Sequence, residues 1–142
     1  MVKKIILLVL FIGFVSFTNA QAYNGQGDQK VQIGINAFGY GTGITGSYDY
    51  GVLDWLSVGA GGNFYWSNDN DNFFIFGRVN FHLNDVLDLP YNMDLYPTVR
   101  VGGRNDGFGI GAGLGYRYFF TDKIGAYAEL GSYGSLGVSI NL

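Results

Sequence analysis

The chain of 142 residues has no cysteine, one histidine and two prolines, and only 13% of it is charged. Without cysteine there is no disulfide framework, no CxxC redox pair and no thiolate zinc site. With His82 alone, a multi-histidine metal site is impossible. Eight basic residues, two of them in the first four positions, are too few for the basic patch that nucleic acid requires. An apolar share of 48% argues against a disordered tail, and the length fits one domain. What the chain has in quantity is glycine, 24 residues, and aromatics, 18%.

Residues 1–20 carry the pattern of an export signal. Lys3 and Lys4 supply a positive start, Ile5 to Val15 an apolar run, and Thr18 and Ala20 the small residues of a cleavage site. A helix that spans a bilayer needs about 20 apolar residues, and this run is well short of that. Cleavage after Ala20 is expected, giving a signal peptide over 1–20 and one domain over 21–142. With six basic and eleven acidic residues, that domain carries a net charge of −5. No cysteine follows the cleavage site to carry a lipid anchor.

From Gln29 onward the apolar period is two, interrupted by Gly, Asn and Asp, which reads as strands and turns. Eight strands are predicted: Lys30–Phe38, Ile44–Gly51, Trp55–Trp66, Phe73–Leu83, Leu95–Gly102, Phe108–Phe119, Ile124–Gly131 and Ser135–Leu142. Sorted by parity, one face carries no charge and many bulky apolar side chains. The other carries Gln32, Asn36, Asp49, Ser57, Asn63, Arg78, His82, Arg100, Arg117, Glu129 and many glycines. The interior of an eight-stranded barrel is only just wide enough for side chains to fill. The small, polar, glycine-rich face fits that interior. The bulky apolar face is then outside, where it needs lipid as solvent. The expected fold is all-β: an eight-stranded antiparallel up-and-down transmembrane β-barrel after a cleaved signal peptide.

Aromatic placement agrees with this reading. Tyr48, Tyr50, Tyr116 and Tyr118 fall at one end of the outward face, and Phe64, Trp66, Phe73 and Phe108 at the other, the arrangement of two interfacial girdles. An even strand number puts both chain ends on one side, expected to be periplasmic. Asn84–Asp94 is the longest connection and lies on that side, with room for one helical turn over Asp85–Asp88 before Pro90. Pro97 cannot donate to a ladder and belongs near a strand start or a bulge.

The run Tyr116-Arg117-Tyr118-Phe119-Phe120-Thr121-Asp122-Lys123-Ile124-Gly125-Ala126-Tyr127-Ala128-Glu129 resembles the penultimate periplasmic hairpin of small bacterial outer-membrane β-barrel proteins, the OmpA/OmpX-like class. Tyr48-Asp49-Tyr50-Gly51 leading to Leu56-Ser57-Val58-Gly59-Ala60-Gly61 looks like a second hairpin of that type. The resemblance implies a location in the bacterial outer membrane. The partners it implies are membrane lipid, lipopolysaccharide and the barrel-insertion machinery. It also implies a final aromatic residue, where this chain has Leu142.

The inward charges Asp49, Arg78, Arg100, Arg117 and Glu129 are expected to form a paired interior network, because buried charges need partners whatever the function. His82 invites comparison with outer-membrane lipid-modifying hydrolases, which would require a serine within hydrogen-bonding distance of it. There is no Gly-x-Ser-x-Gly elbow, and no catalytic residue is assigned. Gly41-Thr42-Gly43-Ile44-Thr45-Gly46 matches the dinucleotide fingerprint in letters, but strand period follows it where a helix is needed. Asn68-Asp69-Asn70-Asp71-Asn72 offers oxygen ligands, yet lacks the Gly and Glu of a calcium loop and reads as a hairpin tip. No cofactor, metal or specific protein partner is expected. The expected role is structural or one of surface interaction. The alternatives are a lipid-modifying enzyme and a soluble lipocalin-like carrier, the latter requiring the apolar face to be inside.

Overall fold

The computed structural model describes residues 21–39, 41–66, 73–104 and 107–142. The export signal expected over 1–20 and the acidic run with Asp69 and Asp71 lie outside the described residues. Eight strands follow in order: β1 (Gln29–Phe38), β2 (Gly43–Leu53), β3 (Leu56–Tyr65), β4 (Phe73–Phe81), β5 (Met93–Arg104), β6 (Gly107–Phe119), β7 (Ile124–Gly131) and β8 (Gly134–Asn141). Each pairs antiparallel with the next. β1 pairs with β8 from Lys30↔Asn141 to Phe38↔Gly134, which closes the barrel.

All eight expected strands are present, with ends shifted by up to two residues. The shift that matters is at β5. Expected to begin at Leu95, it begins at Met93, so Asp94 belongs to the wall and not to the preceding connection. Asp94 pairs with Arg117 across to β6. That connection makes one turn, with Leu87 N–H donating to the Leu83 carbonyl at 2.9 Å. Pro97 is accommodated at the end of a ladder. The β4–β5 pairing stops at Asn80↔Thr98, one residue short of it. Beyond it, Leu83 N–H donates to the Leu95 carbonyl.

The facing is that of an inside-out protein. Arg78, Arg100, Arg117, Lys30, Asp28, Asp49, Asp94 and Glu129 are all buried. Ile33, Ile75, Ile110, Leu114, Leu130 and Leu136 are exposed, several by more than half. Of the eight aromatics expected in two outer bands, all but half-buried Tyr118 are exposed. Tyr50 lies opposite Gln29 and Tyr116 opposite Leu95, near the mouth that holds the chain ends. Phe64 lies opposite Phe73 at the other mouth. Gly41–Gly46 runs into β2 with no helix after it, so the glycine pattern there is strand and turn.

The interior is more aromatic than its small polar face suggests. Tyr65, Phe74, Phe76, Tyr96, Phe119 and Tyr127 are buried inside it. The inward glycines are what make room for them. A side chain at Gly115 would run into the Tyr96 ring, and one at Gly59 into the Asp49 carboxylate and the Tyr48 carbonyl.

Candidate functional site

The five charges expected inside are brought together, and two more acids and one lysine join them. Arg78, on β4, donates from Nε to Asp49 at 2.8 Å and from Nη1 to Glu129 at 2.8 Å, and also pairs Asp49 through Nη2. Arg100, on β5, donates to the other Glu129 oxygen at 3.0 Å. Glu129 further accepts from Gln32, Tyr96 and Tyr133 at 3.1, 2.6 and 2.8 Å. Arg117 does not touch Glu129. It donates to Asp94 at 2.7 Å, to Asp49 at 3.1 Å and to Gln32 at 2.5 Å. Toward the mouth with the chain ends, Lys30 pairs Asp28 at 2.5 Å. Four buried cations thus face four buried carboxylates, the condition under which buried charges are tolerated.

That mouth is stopped by the segment before β1. Ala22 is fully buried against Phe119. The Tyr23 hydroxyl donates to the carbonyls of Leu53 and Leu56 at 2.6 and 2.9 Å. Beneath the Tyr23 ring lies His82, one residue past the end of β4. Its Nδ1 donates to Asp94 at 2.8 Å and its Nε2 lies 2.7 Å from Ser57 Oγ. Burial is the largest influence on the His82 ring and lowers its pKa, against the opposing hydrogen bond and charge of Asp94. With the ring neutral, Nε2 accepts from the Ser57 hydroxyl. Ser57 in turn accepts from Asn80 Nδ2 at 3.0 Å. The serine that a hydrolase would require beside His82 is therefore present, with an acid behind it.

Ser57, His82 and Asp94 are all buried. Ser57 is 1% exposed. Its backbone sits within ladders on both sides, opposite Gly51 and Asn80. Catalysis of acyl transfer needs backbone donors aimed at an oxyanion, and ladder N–H groups are already committed.

The opposite mouth is different. A cavity of about 290 Å³ opens there, lined by Asn63, Tyr65, Phe74, Arg100, Ser132 and Tyr133 among others. Arg100 is part of its lining, with its guanidinium packed 3.6 Å from the Tyr133 ring centre and 4.2 Å from that of Phe76.

Sequence reasoning missed three of these features. Asp94 falls in a connection when β5 is expected to begin at Leu95, and in the wall because it begins at Met93. Lys30 stood at a strand end, where facing is ambiguous. Parity puts Ser57 and His82 on the inner face, but their contact is diagonal across β3 and β4 and follows from a register the sequence does not state.

Residues 65–134, from the end of β3 to the first residue of β8, match the model of a family of unknown function, DUF6646. No curated protein matches the sequence.

Proposed function

We propose that the chain is an integral outer-membrane β-barrel protein of the OmpA/OmpX-like class, exported by its first twenty residues, with a non-enzymatic role in the structure or surface interactions of that membrane. The observation that carries this reading is the facing: a charge-paired interior beneath an outer wall of exposed aliphatic residues with aromatic bands toward both ends. Water is a poor solvent for such a wall and lipid a good one. A carrier of the lipocalin type needs aliphatic residues around its cavity, and here they point away from it. The partners are membrane lipid, lipopolysaccharide and, during assembly, the insertion machinery.

The test is electrophoresis of the cell envelope, boiled and unboiled. A shift in mobility on heating, in the outer-membrane fraction, is expected. An unshifted band in the soluble periplasm would refute the reading.

The Ser57–His82–Asp94 chain favours a second reading, a serine hydrolase acting on lipid. In it, the Ser57 hydroxyl attacks an ester carbonyl while its proton passes to His82; the ester C–O bond breaks, His82 returns the proton to the departing alcohol, and water then releases the acyl group as the free acid. A fluorophosphonate probe separates the two. On the non-enzymatic reading it labels wild type and Ser57→Ala equally weakly; labelling that disappears with Ser57→Ala would establish the hydrolase.

A further inference from the structure

We propose that the free edge of β6 at the mouth opposite the chain ends, along Phe108 and Ile110, is a docking site for an extended peptide segment of another protein, which joins the wall there as one more strand. This deepens the surface-interaction reading by naming the partner's chemistry, and it rests on that reading only for the side of the membrane from which the partner arrives.

The edge exists because neighbouring strands differ in length. β6 has 13 residues and β7 has 8. The β5–β6 ladder runs up to Arg104↔Gly107, whereas the β6–β7 ladder stops at Gly113↔Gly131. There the chain turns back into β8, with Gly131 N–H donating to the Tyr133 carbonyl at 2.9 Å. Gly107–Ala112 thus has β5 on one side and, among the described residues, no strand on the other. On the far side of β5, β4 pairs as high as Phe74↔Arg104, so the hairpin is held from behind and the open edge is that of β6.

Alternation decides which backbone groups this edge presents. Phe119 N–H donates to the Asn92 carbonyl at 2.8 Å, so the odd-numbered residues of β6 turn their N–H and C=O groups toward β5. Ser132 N–H donates to the Ala112 carbonyl at 3.0 Å, so the even-numbered ones turn theirs the other way. Ala112 is satisfied there, because its own N–H donates to Ser132 Oγ at 3.1 Å. The next two, Ile110 and Phe108, have neither a ladder partner on that side nor a turn or loop backbone partner among the described residues. Both stand in the open, 63% and 72% exposed. Natural sheet edges are commonly blunted by charge or proline. Gly107–Ala112 contains neither.

The chemistry of the edge selects its occupant. Lipid offers no partner to a peptide N–H, and open edges are not left facing hydrocarbon. A second copy in the same membrane is a poor match. Its β6 runs in the same direction through the bilayer and, being tilted, crosses the first instead of lying along it. An extended peptide running antiparallel supplies C=O and N–H groups at the two-residue spacing of Phe108 and Ile110. Its residues opposite those two share their outward face and are apolar. Its alternate residues point inward and are small, since the space beside Gly111 is taken by Arg100 and Ser132, each 3.2 Å from where a Cβ would stand.

The experiment is fluorescence anisotropy on the full chain in detergent micelles, with the labelled peptide Val-Ser-Val-Ser-Val-Ser-Val as probe. Saturable binding is expected. In the antiparallel pairing the valines lie opposite Ile110 and Phe108, and their N–H groups donate to the β6 carbonyls. Methylation of the valine nitrogens is therefore expected to weaken binding about tenfold or more, and methylation of the serine nitrogens to leave it unchanged. Ile110→Pro removes the N–H that faces the peptide and no bond to β5. It is expected to keep the heat shift of a folded barrel and to weaken peptide binding by a similar factor. The inference is overturned if the unmethylated peptide does not bind saturably, if the valine-methylated peptide binds as tightly as the serine-methylated one or more tightly, or if folded Ile110→Pro binds like wild type. A dimer in sedimentation that Ile110→Pro abolishes overturns it too, by making a second copy the occupant. Should that variant not fold, the methylated pair on the unaltered chain decides by itself. Because binding is read in micelles, its failure is distinct from a failure of the membrane reading, which is decided by fractionation.

Discussion

Tyr23 lies flat on His82, their ring centres 3.5 Å apart and their planes 6° from parallel. The contact fastens the segment before β1 to the end of β4 and seals the interior at the mouth with the chain ends. Tyr23→Ala removes a large buried ring, which typically costs about 3–5 kcal/mol. It is expected to lower the unfolding temperature and to raise the rate at which diethyl pyrocarbonate modifies His82. An unchanged modification rate would mean that Tyr23 is not the seal.

His82 also gives the mouth a pH dependence. Burial lowers its folded-state pKa below the ordinary value of 6.5, so the unfolded chain binds the proton more readily than the folded one. Stability then falls as pH drops through 6.5 and below. Wild type is expected to unfold at a lower temperature at pH 5 than at pH 7, and His82→Gln to show a smaller difference. Heat-shift gels across that range compare the two.

Glu129 is the carboxylate on which Arg78 and Arg100 converge. Glu129→Gln keeps the shape and removes the charge, leaving one uncompensated positive charge in the interior. Breaking a buried pair this way costs about 3–5 kcal/mol. The urea midpoint of refolded protein is expected to fall accordingly. A change below about 1 kcal/mol, the worth of an exposed pair, would show that the interior network is solvated.

Gly115 is the floor for Tyr96. In Gly115→Val the added side chain meets the Tyr96 ring and pushes its hydroxyl off Glu129, now 2.6 Å away. Overpacking of this kind costs about 1–3 kcal/mol. In the double variant Gly115→Val/Tyr96→Ala the ring is gone, so the added cost of valine is expected to shrink. Strict additivity of the two changes would refute the clash.

On the membrane reading, Leu114→Arg puts a charge on the outward face, where leucine is 48% exposed. Near the bilayer midplane this is worth about 2–4 kcal/mol against insertion. Reduced recovery of folded barrel from lipid vesicles is expected, with no matching loss for Asp122→Arg in the exposed turn between β6 and β7. Equal recovery of Leu114→Arg and wild type would refute a lipid-facing position.

Much of this was legible in the chain alone, and the reason is the period of two. Side chains alternate strictly across a strand, so once Ile33 is outside, Gln32 is inside, and the same holds in all eight segments. That alternation determined the strand number, the facing and the membership of the polar interior, including Asp49, Arg78, Arg100, Arg117 and Glu129. It did not extend to the large aromatics inside, because Tyr96 and Phe76 fit only where glycines on neighbouring strands leave space, and the sequence does not say which strands those are.

Partnership was decided by the closed barrel. Gln32 reaches Glu129 across 97 residues and Arg117 across 85, contacts that exist only because β1 meets β8 and the interior is narrow. The join of Ser57 to His82 depends on a register between β3 and β4 that alternation leaves open. The unequal mouths, one stopped by Tyr23 and the other holding a cavity beside Arg100, belong to no single segment. Alternation assigns a residue to a face; only closure and register assign it a neighbour, and the chemistry of this interior is a matter of neighbours.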